Sequence, residues 1–263
     1  MLQTVDFCGL ELTKMLIGAN PFGGWSHQTA EVSEKMRDFH TEEVILDTWD
    51  RAYAAGINAF VTNTNCDKLF DASAKYVASG KPMKWLAQVE FHYWDEGIDY
   101  RTALDRSAAA GASALFMQGE ILGRLMKEGN LKLVRDFVEY ARTKGVPVGI
   151  AGHNPEDHYQ IDRLDLVDFH VIPLFYCKND DFRIEDMFEA TRLIRYLRKP
   201  CIAYKVLGAG RLDPRMGFSF ALRNIKPNDV ILVGMSRHAD DDQVEKDVAL
   251  MDELLKKMPL ARP

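Results

Sequence analysis

The chain has no run of lysines and arginines; its 33 basic side chains are scattered among 39 acidic ones, for a formal charge of −6. It therefore lacks the electrostatic footprint of a nucleic-acid binder. No apolar stretch approaches the roughly 18–20 residues that a membrane-spanning helix needs, so no membrane partner is expected. The opening MLQTVDFCGLELTK has acidic residues where a secretory leader needs a basic start and an unbroken apolar core, and a cytoplasmic location is predicted. Cysteine is also sparse. Cys8, Cys66, Cys177 and Cys201 lie far apart with no CxxC pair, which indicates neither a disulfide framework nor a zinc ribbon. No GxGxxG or P-loop follows any apolar run, and no compositionally odd segment marks a linker.

What is present is a regular alternation. The 263 residues are 47% hydrophobic, as in a soluble globular protein. Short apolar runs begin at Met15, Ala59, Trp85, Ala112, Pro147, Leu166, Cys201 and Val230. Between them lie helical patterns over 42–55, 67–78, 100–110, 122–144, 155–163, 184–198, 214–224 and 240–256. In the first of these, Val44, Ile45, Trp49 and Ala52 share one face and Gly56 stands at the C-cap position. The run VGIA is apolar on both faces, as a parallel strand covered by helices must be. Eight such alternations predict a single (β/α)₈ TIM barrel over 1–263. A doubly wound open sheet is the alternative, although it usually has fewer units.

Several segments, read in order, resemble the aldo/keto reductase family. GLELTKMLIGANPFGG is similar to that family's opening hairpin and first strand, which implies a short N-terminal hairpin around Val5–Thr13, and AAGINAFVTN is similar to its second. LVRDFVEYARTKGVPVGIAGHNPE is similar to its fifth-strand region. AYKVLGAGRL resembles its seventh-strand motif, and VGMSRH with QVEKDV its phosphate-binding eighth segment. The resemblance implies a (β/α)₈ barrel that binds NADP(H). The family's catalytic tetrad of Asp, Tyr, Lys and His does not carry over. The corresponding positions read Val61–Thr62–Asn63, Cys66, Gln88 and Gln118. The pair that would hold the nicotinamide amide is Ala151–Gly152, and Asp247 stands where the family has Asn. NADP(H) is therefore expected to bind weakly or not at all.

Chemistry in such a barrel belongs at the C-terminal strand ends. Strand side chains alternate, so if Gln88 faces inward then Glu90 and His92 do as well. The same parity brings Glu120 inward from Gln118, and His153 from Ala151. Glu90, His92, His153 and Glu120 are the candidate catalytic groups, for proton transfer or for metal-assisted chemistry. Glu90, His92 and His153 would also suit a divalent ion such as zinc, manganese or iron. Asn20, Asn63, Gln118, Lys205, Ser236 and Arg237 are the candidate substrate or anion contacts.

Each candidate has a structural reading beside it. Glu90 could be a salt-bridged strut, His153 a helix cap, and His170 a satisfied core histidine whose facing the register leaves open. The polar stretch 25–40 reads as a lid or a solvated loop. The functional expectation is a non-redox enzyme acting on a sugar, or a hydroxy- or keto-acid. An NADP(H) oxidoreductase with a rearranged site and a non-catalytic ligand-binding barrel are the alternatives. The sequence leaves the oligomeric state open.

Overall fold

The computed structural model describes residues 1–92, 99–178, 181–183 and 186–257. In chain order the strands are β1 (Thr4–Phe7), β2 (Leu10–Thr13), β3 (Met15–Gly18), β4 (Ala59–Asn63), β5 (Lys84–Val89) and β6 (Ala114–Met117). They continue with β7 (Val148–Ala151), β8 (Phe169–Pro173), β9 (Tyr176–Lys178), β10 (Asp181–Arg183), β11 (Cys201–Tyr204) and β12 (Val230–Gly234). Eight of them close a parallel barrel in the order β11-β12-β3-β4-β5-β6-β7-β8. The predicted TIM barrel is thus the observed fold, and β1 and β2 form the predicted hairpin. The antiparallel pair β9–β10 was not anticipated. Among the described residues, no helix is long and apolar enough to cross a membrane.

The helices are α1 (Asn20–Gly23), α2 (Ala30–Phe39), α3 (Glu42–Ala55), α4 (Asp67–Ala78), α5 (Tyr100–Ala109) and α6 (Gly119–Lys127). After them come α7 (Leu131–Arg142), α8 (Pro155–Arg163), α9 (Asp186–Tyr196), α10 (Pro214–Asn224) and α11 (Gln243–Lys257). Two expectations need correction. The stretch 25–40 is mostly helical, because Thr29 accepts from the Val32 N–H and starts α2. The helix expected over 122–144 is two, because Gly129 adopts φ +71° and the Asn130 side chain then caps α7. Of the helix expected over 184–198, Ile184 and Glu185 lie outside the described residues.

Strand alternation sorts the core into two layers. Leu16, Val61, Leu86, Phe116, Phe169 and Ile202 fill the barrel, together with Phe7 and Leu12 of the hairpin. The Phe7 ring packs at a tilt against Phe169, 5.3 Å between centroids, so the hairpin closes the floor. Ile17, Phe60, Trp85, Leu115, Ile150 and Ala203 pack beneath the helices instead. Gly149 makes room for this arrangement, since a Cβ there would lie 2.4 Å from the Phe169 ring.

Candidate functional site

A cavity of about 440 Å³ is lined by the C-terminal ends of β3, β4, β5, β11 and β12. Asn20, Asn63, Lys205 and Ser236, all anticipated, lie on its wall, as does Gln88. Lys205 comes one residue after the inward-facing Tyr204 and has φ +56°. The left-handed backbone turns the chain there, so both neighbours line the cavity. His27 and Ala209, also on the wall, have φ +55° and +57°. Strained backbone at non-glycine positions tends to gather at functional sites.

Glu90 and His153 stand one hydrogen bond behind this wall. Asn63 Nδ2 donates to Glu90 Oε2 at 2.8 Å, and Asn63 Oδ1 accepts from the Asn65 N–H at 3.0 Å. The Asn63 amide is thereby fixed in orientation. Across the mouth, the Tyr204 hydroxyl lies 3.0 Å from His153 Nε2. The helix-cap role considered for His153 belongs to its neighbour Asn154, whose side chain accepts from the Glu156 N–H. Sequence reasoning missed Tyr204, although parity from the core residue Ile202 on the same strand would have found it.

Other expected site residues are placed elsewhere. Glu120 does not continue a strand; β6 ends at Met117, and Glu120 is an exposed residue of the first turn of α6. The cause is Gln118, whose side chain accepts from the Glu120 and Ile121 N–H groups and caps that helix. Arg237 is held by Asp47, Asp241 and Thr48, ties α3 to the turn before α11, and does not line the cavity. His92 follows β5, half-buried, and is also off the cavity wall. Among the described residues, no three His, Cys, Asp or Glu side chains are grouped so that they could hold a metal ion. The set Glu90–His92–His153 is therefore not assembled. Glu90 turns to Asn63 and His153 to Tyr204, on strands that are not neighbours.

His170 faces the helix layer, between the inward Phe169 and Val171. Its Nδ1 lies 3.0 Å from His158 Nδ1, and its Nε2 lies 3.7 Å from Asp162. Burial pushes both imidazoles below the ordinary histidine range. This is the core reading of His170, with partners from α8.

The segment before α2 is strapped across the site. Gln28 Nε2 donates to the Ala209 carbonyl at 2.6 Å, and Arg211 Nη2 donates to the His27 carbonyl at 2.9 Å. Asn20 Nδ2 lies 3.4 Å from His27 Nε2, and Ser236 Oγ lies 2.8 Å from His238 Nδ1. At the α11 side the wall includes Asp247, 2% exposed. Burial pushes its carboxyl up to about 6, against a smaller lowering by a hydrogen bond from Gln243.

No known family's sequence profile matches the chain, and no curated protein matches its sequence. Solved structures do resemble it. A Pseudomonas aeruginosa protein described as an aldo-keto reductase superposes with TM-score 0.69 at 15% identity, covering 96% of this chain and 94% of that one. An aldo-keto reductase from Bacillus halodurans in its holo form gives 0.56 at 12%, covering 100% and 97%. A dihydropteroate synthase from Yersinia pestis gives 0.56 at 11%, covering 98% and 99%. These neighbours are enzymes of different chemistries. At such identities the likeness establishes the TIM-barrel fold and no particular activity.

Proposed function

We propose that the protein is a non-redox enzyme of isomerase or lyase type, acting on a small polar substrate such as a sugar or a hydroxy- or keto-acid. The observation that carries this reading is the Tyr204–His153 hydrogen bond beside the cavity. Tyr204 is the group at the wall that touches the substrate. His153 takes the phenolic proton when Tyr204 acts as a base, and returns it when Tyr204 acts as an acid. Asn63, held by Glu90, presents its remaining amide proton to a substrate oxygen and stabilises charge that develops there. Lys205 attracts an anionic or carbonyl group as a point charge. Direct acid–base chemistry is favoured over a metal-assisted form, because Glu90 and His153 are committed to two different wall residues.

The residues present fit NADP(H) poorly. Ala151–Gly152 offers no side-chain donor for a nicotinamide amide. Arg237, the candidate grip for a phosphate, is taken up by two carboxylates.

The test is exchange of substrate C–H protons with solvent deuterium, followed by NMR over a panel of keto-sugars and hydroxy- and keto-acids. At least one compound should exchange with the wild-type protein and lose about two orders of magnitude in rate with Tyr204→Phe. No exchange across the panel, or an unchanged rate in Tyr204→Phe, would favour a non-catalytic binding barrel. Tight NADPH binding by fluorescence titration would favour the oxidoreductase reading.

A further inference from the structure

The chemistry above leaves Asp247 unused. It lies on α11 and on the cavity wall, 2% exposed. The Gln243 side chain, one turn earlier, donates to its carboxyl, while Oδ2 is buried without a hydrogen-bond partner. Among the described residues no cationic side chain pairs with it. The cations nearby are committed: Arg51 to Glu245 and Asp241, Arg237 to Asp47 and Asp241, and Lys246 to Asp240. From the loop after β12, His238 Nδ1 is paired with Ser236. The neighbouring charge that does act on Asp247 is another carboxylate, Asp240.

A desolvated carboxylate with an unfilled acceptor is costly, and the cost is removed by a partner that supplies both an N–H and a positive charge. We propose that this part of the cavity is a subsite for a protonated amine, so that the small polar substrate carries an ammonium group. The proposal rests on reading the cavity as the substrate site. An alkylammonium meets both needs of Asp247 at once. A neutral N–H donor fills Oδ2 but leaves the buried charge unbalanced. A phosphate or carboxylate group does neither and is repelled.

The test is binding, measured at neutral pH by ligand-observed NMR and by the fluorescence of Trp25, which lines the cavity. The probes are D-glucosamine and 1,4-diaminobutane, each against its uncharged counterpart, D-glucose and 1,4-butanediol, with adenosine as a neutral amine. The expected result is that each amine binds about tenfold or more tighter than its counterpart, the scale of a hydrogen bond to a charged group. That preference should vanish in Asp247→Asn. Equal affinity of amine and alcohol, failure of both amines to bind, an undiminished preference in Asp247→Asn, or binding of adenosine without the amines would each overturn it. The comparison of amine with alcohol uses the wild-type protein and needs no variant to fold. Because binding is read rather than turnover, failure here leaves the Tyr204–His153 chemistry untouched. Failure of that chemistry appears separately, as unchanged exchange in Tyr204→Phe.

Discussion

Tyr204 on β11 reaches past β8 to place its hydroxyl 3.0 Å from Nε2 of His153, which follows β7. The two side chains come from strands that are not neighbours, and only barrel closure brings them together. If they act as one proton-transfer unit, Tyr204→Phe and His153→Ala should each slow turnover by roughly 10²–10⁴. The double variant should be little worse than the slower single one. A double-mutant cycle on the rate of deuterium exchange checks this, and full additivity would argue for independent roles.

Asp247 gives a pH dependence whose sign is fixed by its environment. Its carboxyl is held at about 6 in the folded protein, against an ordinary value of 3.8. Between those values the folded state binds more protons than the unfolded one. Stability therefore falls as pH rises from about 4 to about 6, and stays lowered above that. Asp247→Asn keeps an acceptor for Gln243 and removes the buried charge. It should be more stable than wild type at pH 7.5 by about 1–3 kcal/mol and no more stable at pH 4. Urea denaturation at the two pH values measures the difference.

Gly149 has a Phe169 ring atom 2.4 Å from where a Cβ would sit. Gly149→Ala should therefore destabilise the barrel by about 1–3 kcal/mol through overpacking. Phe169→Leu, introduced into the Gly149→Ala background, should recover part of that loss. Chemical denaturation of the single and double variants decides whether the ring or the backbone is the constraint.

Arg211 donates to the His27 carbonyl and, at 3.1 Å, to the Gly208 carbonyl. Arg211→Ala should loosen the strap over the cavity. Hydrogen exchange at residues 26–29 is expected to speed up about tenfold or more, given the usual strength of hydrogen bonds from charged donors. Exchange in α3, the next helix along the chain, should not change.

Much of the frame was legible because local chemistry sets it. Helix α3 runs over the predicted 42–55 because Thr41 caps one end, accepting from the Val44 N–H, and Gly56 stops the other. Strand parity from Gln88 predicted Glu90 at the barrel mouth; Gln88 does line the cavity, while Glu90 stands behind its wall, paired with Asn63. Parity failed at Glu120, where Gln118 ends the strand by capping a helix, so the period changes from 2 to 3.6 within one residue. What could not be read was long-range. The Tyr204–His153 and Arg237–Asp47 contacts join segments 51 and 190 residues apart. The isolation of Asp247 is likewise a property of packing, invisible in QVEKDV.

The hairpin that seats Phe7 and Leu12 inside the barrel also sets the traffic through it. With the floor plugged by aromatic and aliphatic side chains, the cavity at the mouth has no back door along the barrel axis. Whatever enters must leave by the face it came in on. Under the proposed function a spent ligand would block the next until it departs, and the strap from His27 and Gln28 to the 208–211 turn is part of the wall of that shared doorway.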